Sequence, residues 1–225
     1  GKKAAFAPAL QPLAISVDVV ELDTDRFGTF TGEIPRDGDA LTAARRKIAS
    51  LTTWEAIGRD DLLLASEGSF GPNPQFGFVP GGCELVLLVH ADREFVGWDL
   101  TSETNFGSSL VSSTRELLSF AERARFPSHG IILALRHAQD APPVDVVKGI
   151  RSYDELERCY RKLVDGASGV PIYAEADMRA HMNPTRMASI RRACDDLVTT
   201  LLRRCGACAK TSSTSSTSLP AAGPT

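Results

Sequence analysis

Residues 84–100 read ELVLLVHADREFVGWDL, and this stretch decides the class of the fold. Glu84 to His90 carries the unbroken apolar run Leu85–Val89, Glu94 to Leu100 is a second strand-sized segment rich in β-formers, and the polar link Ala91-Asp92-Arg93 between them is short enough for a hairpin. Antiparallel pairing therefore enters the fold here. Upstream, Asp61–Ser66 (DLLLAS) predicts a buried strand, followed by the Gly/Pro-rich stretch EGSFGPNPQFGFVPGG at 67–82, which reads as a long loop. Farther upstream, apolar positions 41, 44, 48 and 51 recur at helical spacing within 37–57, and AISVDVV at 14–20 predicts a first strand.

Downstream of the hairpin the pattern alternates. The sequence predicts a helix near 114–124, a strand at 129–135, a helix from Tyr153 to Val164 and a strand at 171–175. Ser152-Tyr-Asp-Glu155 is a capping-box start for the second of these helices, whose inward stripe is Leu156, Cys159, Tyr160, Leu163 and Val164. A last amphipathic helix runs from Pro184 to about Arg204, with Met187, Ile190, Cys194, Leu197, Val198, Leu201 and Leu202 on one side. The expectation is an α/β fold: a single domain over 1–208 with a mixed central sheet flanked by helices, and a Ser/Thr-rich disordered tail at 209–225.

Composition narrows the function classes. Among 225 residues, hydrophobic side chains make up 43% and charged ones 24%, as in a globular protein, and the formal charge of −3 gives no general attraction for nucleic acid or an acidic membrane. The longest apolar runs are strand-sized, far below the roughly 20 residues of a membrane helix. GKKAAFAPAL lacks the sustained apolar core of a signal peptide. Five cysteines, an odd number, argue against a disulfide framework and fit a cytoplasmic protein.

The densest polar chemistry is DMRAHMNPTR at 177–186. Asn183 is a good N-cap and Pro184 sits where a helix tolerates proline best, so a helix begins there with its free N–H groups and positive dipole end facing Thr185 and Arg186. Arg179 and His181 arrive from the preceding segment. Two readings stand: a phosphate or carboxylate clamp, or a capped helix whose arginines meet carboxylates. Lys148-Gly-Ile-Arg151, just before Ser152, is a second candidate anion site, with a basic turn as its plain alternative.

Glu33, Glu67, Glu103 and Asp177 fall in presumed loops at element ends, where one or two carboxylates and a ligand's phosphate oxygens together hold Mg²⁺. Glu67 follows a strand among small residues, which let a ligand approach. Cys205 and Cys208 have zinc-ligand spacing but no second pair, so zinc is not expected there. His90, His129 and His137 are scattered and read as structural.

Taken in order, GTFTGEIPR, ASEGSFGP, SETNF, FPSH, KGIR and DMRAHMNPTRM resemble an uncharacterised bacterial family of unknown function over nearly the whole chain. More distantly, the order of GK, GTFTGE, LLLASEGSF and a final basic helix start is similar to inosine-triphosphate pyrophosphatase-like families. That likeness implies a phosphate-binding lysine at Lys2 or Lys3, acids at Glu33 and Glu67, and a final pair in His181 and Arg186. The leading expectation is a Mg²⁺-dependent phosphohydrolase acting on a phosphorylated small molecule. In it Arg179, His181, Arg186 and Lys148 neutralise phosphate, Arg151, Asn183 and Thr185 complete the binding surface, and Glu67 or His181 orients water. The alternative is a non-catalytic domain that holds an anionic metabolite.

Overall fold

A computed structural model describes residues 1–13, 38–51, 57–58, 61–72, 80–91, 93–136, 142–167 and 169–213. The predicted first strand at 14–20 lies outside these residues, as do Glu33, His137, the side chains of Cys205 and Cys208, and positions 214–225. In chain order the elements are α1 (Lys3–Leu10), α2 (Ala40–Leu51), β1 (Leu63–Pro72), β2 (Pro80–His90), β3 (Arg93–Thr101), β4 (Ser108–Val111), α3 (Thr114–Arg123), β5 (Ile131–Leu135), β6 (Val144–Ile150), α4 (Tyr153–Gly166), β7 (Ile172–Ala176) and α5 (Pro184–Ser213). Short 3₁₀ turns follow α1 and precede α5.

The class is the expected α/β one, closed by a long C-terminal helix. Its strands divide between two sheets, β1-β2-β3 and β4-β7-β5-β6, and every described pairing is antiparallel, where one sheet of mixed sense was expected. The hairpin of 84–100 forms as read, with His90 opposite Arg93 and Ala91 in the left-handed region at φ 51° to make the tight reversal. The predicted loop at 67–82 is largely strand instead: β1 runs on to Pro72 and β2 begins at Pro80, with Phe70 opposite Gly82 and Gly71 opposite Gly81. The glycines that suggested a loop leave room on the sheet, since a Cβ on Gly82 would stand 3.1 Å from the Phe70 ring.

Alternation along β2 explains its unbroken apolar run. Leu85 and Leu87 face α2 with Ala44, Ile48 and Ala65, whereas Val86 and Leu88 face α1 and α5 with Phe6, Leu10, Ile190, Cys194 and Leu197. Both faces of this sheet are covered, so each large side chain contributes roughly 1.5–3 kcal/mol of burial. At Gly97 of β3, helix α5 lies directly on the strand, where an added Cβ would collide with the Ala193 carbonyl. The second sheet places Ile131, Leu133, Leu135 and Ile150 against α3 and α4 through Leu117, Phe120, Leu156, Tyr160 and Leu163. Of the predicted helix stripes, Val164 and Leu202 prove exposed, one turn-edge too far round their helices. Among the described residues no helix is long and apolar enough to cross a membrane.

Candidate functional site

DMRAHMNPTR leaves β7, turns through the 3₁₀ segment Ala180–Met182 and enters α5. The turn is anchored to the second sheet by two backbone bonds, Asp177 N–H to the Gly130 carbonyl and Gly130 N–H to the Met182 carbonyl, both 2.8 Å. Asn183 caps the helix as the sequence implies: its Oδ1 accepts from the Arg186 N–H at 2.9 Å. Its amide donates to Asn105 Oδ1 at 2.7 Å, tying the SETNF segment to the helix start. Phe106, next in that segment, stacks on Phe70 of β1 with ring centroids 6.0 Å apart. Three stretches singled out in the sequence thus meet at the N-terminus of α5.

Asp177 is fully buried, and Arg179 closes on it in a two-pronged pair, Nε to Oδ1 at 3.0 Å and Nη2 to Oδ2 at 2.7 Å. The Arg179 side chain nevertheless keeps 32% of its surface exposed. KGIR is the end of β6 rather than a turn, and it lies against this arginine. Gly149 adopts φ 78°, and a Cβ there would stand 3.1 Å from Arg179 Nη2 and 3.0 Å from the Met182 methyl. The two segments read separately as anion sites therefore form one surface.

His181 stands on that surface with much of its area in solvent. Covering of its ring, followed by the charge of Arg179, holds its pKa below the usual histidine range, with Arg151 acting in the same direction and Asp177 opposing. Arg151 is exposed and Lys148 partly so. The helix beyond is capped by Ser152, whose Oγ accepts from Glu155 N–H at 3.3 Å, while the glutamate reaches back to Arg151 N–H at 3.4 Å.

A second charged cluster straddles β1. Glu67 faces the α2 side, where Lys47 of α2 pairs with it, both nearly buried. Glu84 of β2 faces the other side, fully buried, and takes the Nε of Arg186, whose Nη1 donates to the Met178 carbonyl. The Arg186 guanidinium also lies 5.5 Å from the centre of the Phe70 ring. Gly68, opposite Glu84, makes room for it, because a Cβ there would collide with the carboxylate. Between the two pairs, Lys2 donates to the Ser66 carbonyl at 3.1 Å. Burial of its ammonium, then the charges of Arg186 and Lys47, push its pKa down to about 7 against the pull of Glu84 and Glu67.

The remaining candidates are dispersed. Glu103 sits in an exposed loop with its N–H on Thr101 Oγ1 at 2.9 Å, and its charge acts on Arg192, which itself pairs with Asp99. Thr185 bonds through its hydroxyl to buried His129 at 2.8 Å, so that histidine is a structural link, held on its other side by Ser128 at 2.9 Å. Glu33 lies outside the described residues, and among those described no three acid, histidine or cysteine side chains converge as a metal-ligand set. Of the acids expected to hold magnesium, Glu67 is taken up by Lys47 and Asp177 by Arg179. Sequence reasoning passed over Glu84, and it turned Lys47 outward with Arg45 and Arg46, whereas Lys47 reaches in to Glu67. An acid set into the apolar run GGCELVLL was the available signal, since a charge there must be buried and paired.

A family model described as a domain of unknown function, DUF6671, matches residues 52–221. The chain belongs to this family. The DUF6671 match takes in Glu67, Glu84, KGIR and DMRAHMNPTR, and it begins after Lys2 and Lys47. No curated protein and no solved structure matches the chain, and the likeness to inosine-triphosphate pyrophosphatase-like families finds no support in these comparisons.

Proposed function

We propose that this chain binds a phosphorylated or otherwise anionic small molecule on the surface formed by Lys148, Arg151, Arg179 and His181. The observation that carries this reading is the seating of Gly149 against the Arg179 guanidinium, which gathers cations from β6 and from the segment after β7 beside one another. Asp177, the acid that acts on His181 there, is committed to Arg179 and orients its guanidinium. Titration with inorganic phosphate and a nucleotide panel, followed by calorimetry, tests it. Arg151→Ala, at an exposed position, is expected to weaken binding about tenfold, worth about 1.4 kcal/mol, without moving the thermal melt. Failure of every anion to bind the unaltered chain at low salt would sink the reading.

The histidine supplies a pH signature. Because its pKa is held low in the free chain, His181 is mostly neutral at neutral pH, and a bound anion stabilises its protonated form. Affinity should therefore rise as pH falls toward the acid side, with the His181 ring resonance titrating at higher pH once phosphate is present. His181→Gln is expected to flatten that dependence. Hydrolysis asks more of the site: Glu67 must leave Lys47 to reach a magnesium ion. Release of phosphate from nucleotides or phosphomonoesters with Mg²⁺ or Mn²⁺, lost in Glu67→Gln, is the result that would carry the phosphohydrolase reading.

A further inference from the structure

The bond that links α5 to His129 has a direction, and its neighbours fix it. The Ser128 hydroxyl lies 2.6 Å from the Arg125 carbonyl, which can only accept, so the single Ser128 proton is spent there. Toward the His129 ring, 2.9 Å away, Ser128 Oγ must therefore accept, and Nδ1 carries the ring proton. Nε2 is left as an acceptor. The other side of the ring agrees, because the Thr185 backbone N–H, a donor only, points at Nε2 from 3.4 Å. The Thr185 hydroxyl lies 2.8 Å from the same nitrogen and donates to it. An unprotonated imidazole nitrogen on a hydroxyl proton, with the other ring nitrogen held by a third group, is the arrangement that activates a hydroxyl nucleophile.

Arg125 completes the group. Its Nη1 donates to Thr185 Oγ1 at 3.4 Å, so the oxygen that would give up a proton has a cation beside it. This arginine stands in the left-handed region at φ 60° where α3 ends, with its N–H on the Glu122 carbonyl at 3.0 Å and the Phe126 N–H on the Ala121 carbonyl at 2.9 Å. Glycine suits such a helix end best, so the arginine side chain is carried there at a backbone cost, and its guanidinium is used at Thr185. Arg125 and Ser128 are exposed and Thr185 is half-buried, which leaves the hydroxyl open to a ligand, while His129 is buried. Burial holds the His129 pKa below the usual histidine range, opposed by a bond to the Arg125 backbone and aided by the Arg125 charge. The base is neutral at neutral pH.

We propose that Thr185 is the nucleophile, His129 the general base and Arg125 the oxyanion partner of a site that hydrolyses carboxylic esters. Thr185 Oγ1 attacks the acyl carbon while its proton passes to His129 Nε2, and the C=O π pair moves onto the carbonyl oxygen. One guanidinium faces the single negative charge of that tetrahedral intermediate. The pair then returns, the bond to the alcohol oxygen breaks, and that oxygen takes the proton from Nε2. Water attacks the acyl-threonine by the same route, its proton passing through Nε2 to Thr185 Oγ1. Ester and water give acid and alcohol, and nothing is oxidised or reduced. None of these steps uses Lys148, Arg151, Arg179 or His181, so the proposal stands apart from the anion-binding reading.

The full chain with p-nitrophenyl acetate is the test. The expected result is a burst of nitrophenolate and, after acid quench and peptide mapping by mass spectrometry, an acetyl group on the Thr185 hydroxyl. The burst rate should climb with pH along a titration whose midpoint lies below that of a free imidazole, because the base works only when neutral. Thr185→Val removes the label and Thr185→Ser restores it. His129→Gln, whose amide oxygen can still receive the Thr185 hydroxyl, is expected to melt near the unaltered chain and to acylate about a hundredfold more slowly. Arg125→Gly should melt at or above the unaltered chain, since glycine fits the end of α3, yet also lose about a hundredfold in acylation rate. A chain that carries no acetyl on Thr185, or one labelled there equally fast in His129→Gln, overturns the proposal and leaves His129 as a link between α5 and the turn before β5.

Discussion

Arg186→Ala is expected to destabilise the chain by about 3–5 kcal/mol, the range for breaking a buried ion pair from one side. For a domain of this size that is a fall in melting temperature on the order of 10 °C. The reason is the partner left behind. Glu84 is completely buried in the middle of an apolar strand, and Arg186 supplies its charge-assisted bond; without the arginine that carboxylate sits among Val86, Leu88 and the α5 face with no donor on either oxygen. The same guanidinium holds the Met178 carbonyl and covers the Phe70 ring, so three contacts go together. Arg186→Met with Glu84→Gln should recover much of the loss, because two apolar-compatible groups replace the pair instead of half of it. Urea denaturation of the unaltered chain, Arg186→Met, Glu84→Gln and the double variant measures the coupling. An Arg186→Ala chain within 1 kcal/mol of the unaltered one would show that Glu84 has another partner.

Much of this arrangement is legible in the amino-acid sequence. The hairpin of 84–100, the Asn183 and Ser152 caps and the helices that follow them depend on neighbours a few residues apart, and local chemistry writes such features into short motifs. What escaped has a different character. The stretch at 67–82 carries glycines that signal a loop when taken alone, yet Gly68 and Gly82 serve as floor space for Glu84 and Phe70, side chains that only the folded pairing brings over them. The division into two sheets is set by which strands meet across long separations, with β7 inserted between β4 and β5, and no local pattern encodes that. At the site, residue types were read correctly as cations and acids, but their partners were not. Arg179 with Asp177 spans two residues and was open to inspection; Arg186 with Glu84 and Lys47 with Glu67 join separate elements, and they commit charges that the sequence had offered to a ligand. The merging of KGIR with DMRAH is the converse case, two weak motifs that gain meaning from a contact at Gly149.

Among the described glycines, Gly97 is where an added methyl group should do the most damage. Glycine inside a strand costs stability through backbone entropy, so an alanine at an open position is neutral or helpful, by up to about 1 kcal/mol. Gly97 is not open. Its Cβ would overlap the Ala193 carbonyl and press on Leu197, both in the middle of α5, and the obstacle is helix backbone that no side-chain rotation can clear. The whole helix must lift from β3. That movement unseats Ile190, Cys194 and Leu197 from their core, and it draws Arg186, seven residues before Ala193 on the same rigid rod, away from Glu84. Overpacking by itself costs about 1–3 kcal/mol, and the strained ion pair adds to it. Gly71→Ala is the control, since it makes the same chemical change in the same sheet where no atom of the described residues lies within 4 Å. The expected pattern is a chain with Gly71→Ala that melts like the parent and one with Gly97→Ala that exposes α5 to limited proteolysis and loses the cooperative transition at lower urea. Equal stability of the two variants would mean that α5 does not rest on Gly97, and the placement of Arg186 beside Glu84 would fall with it.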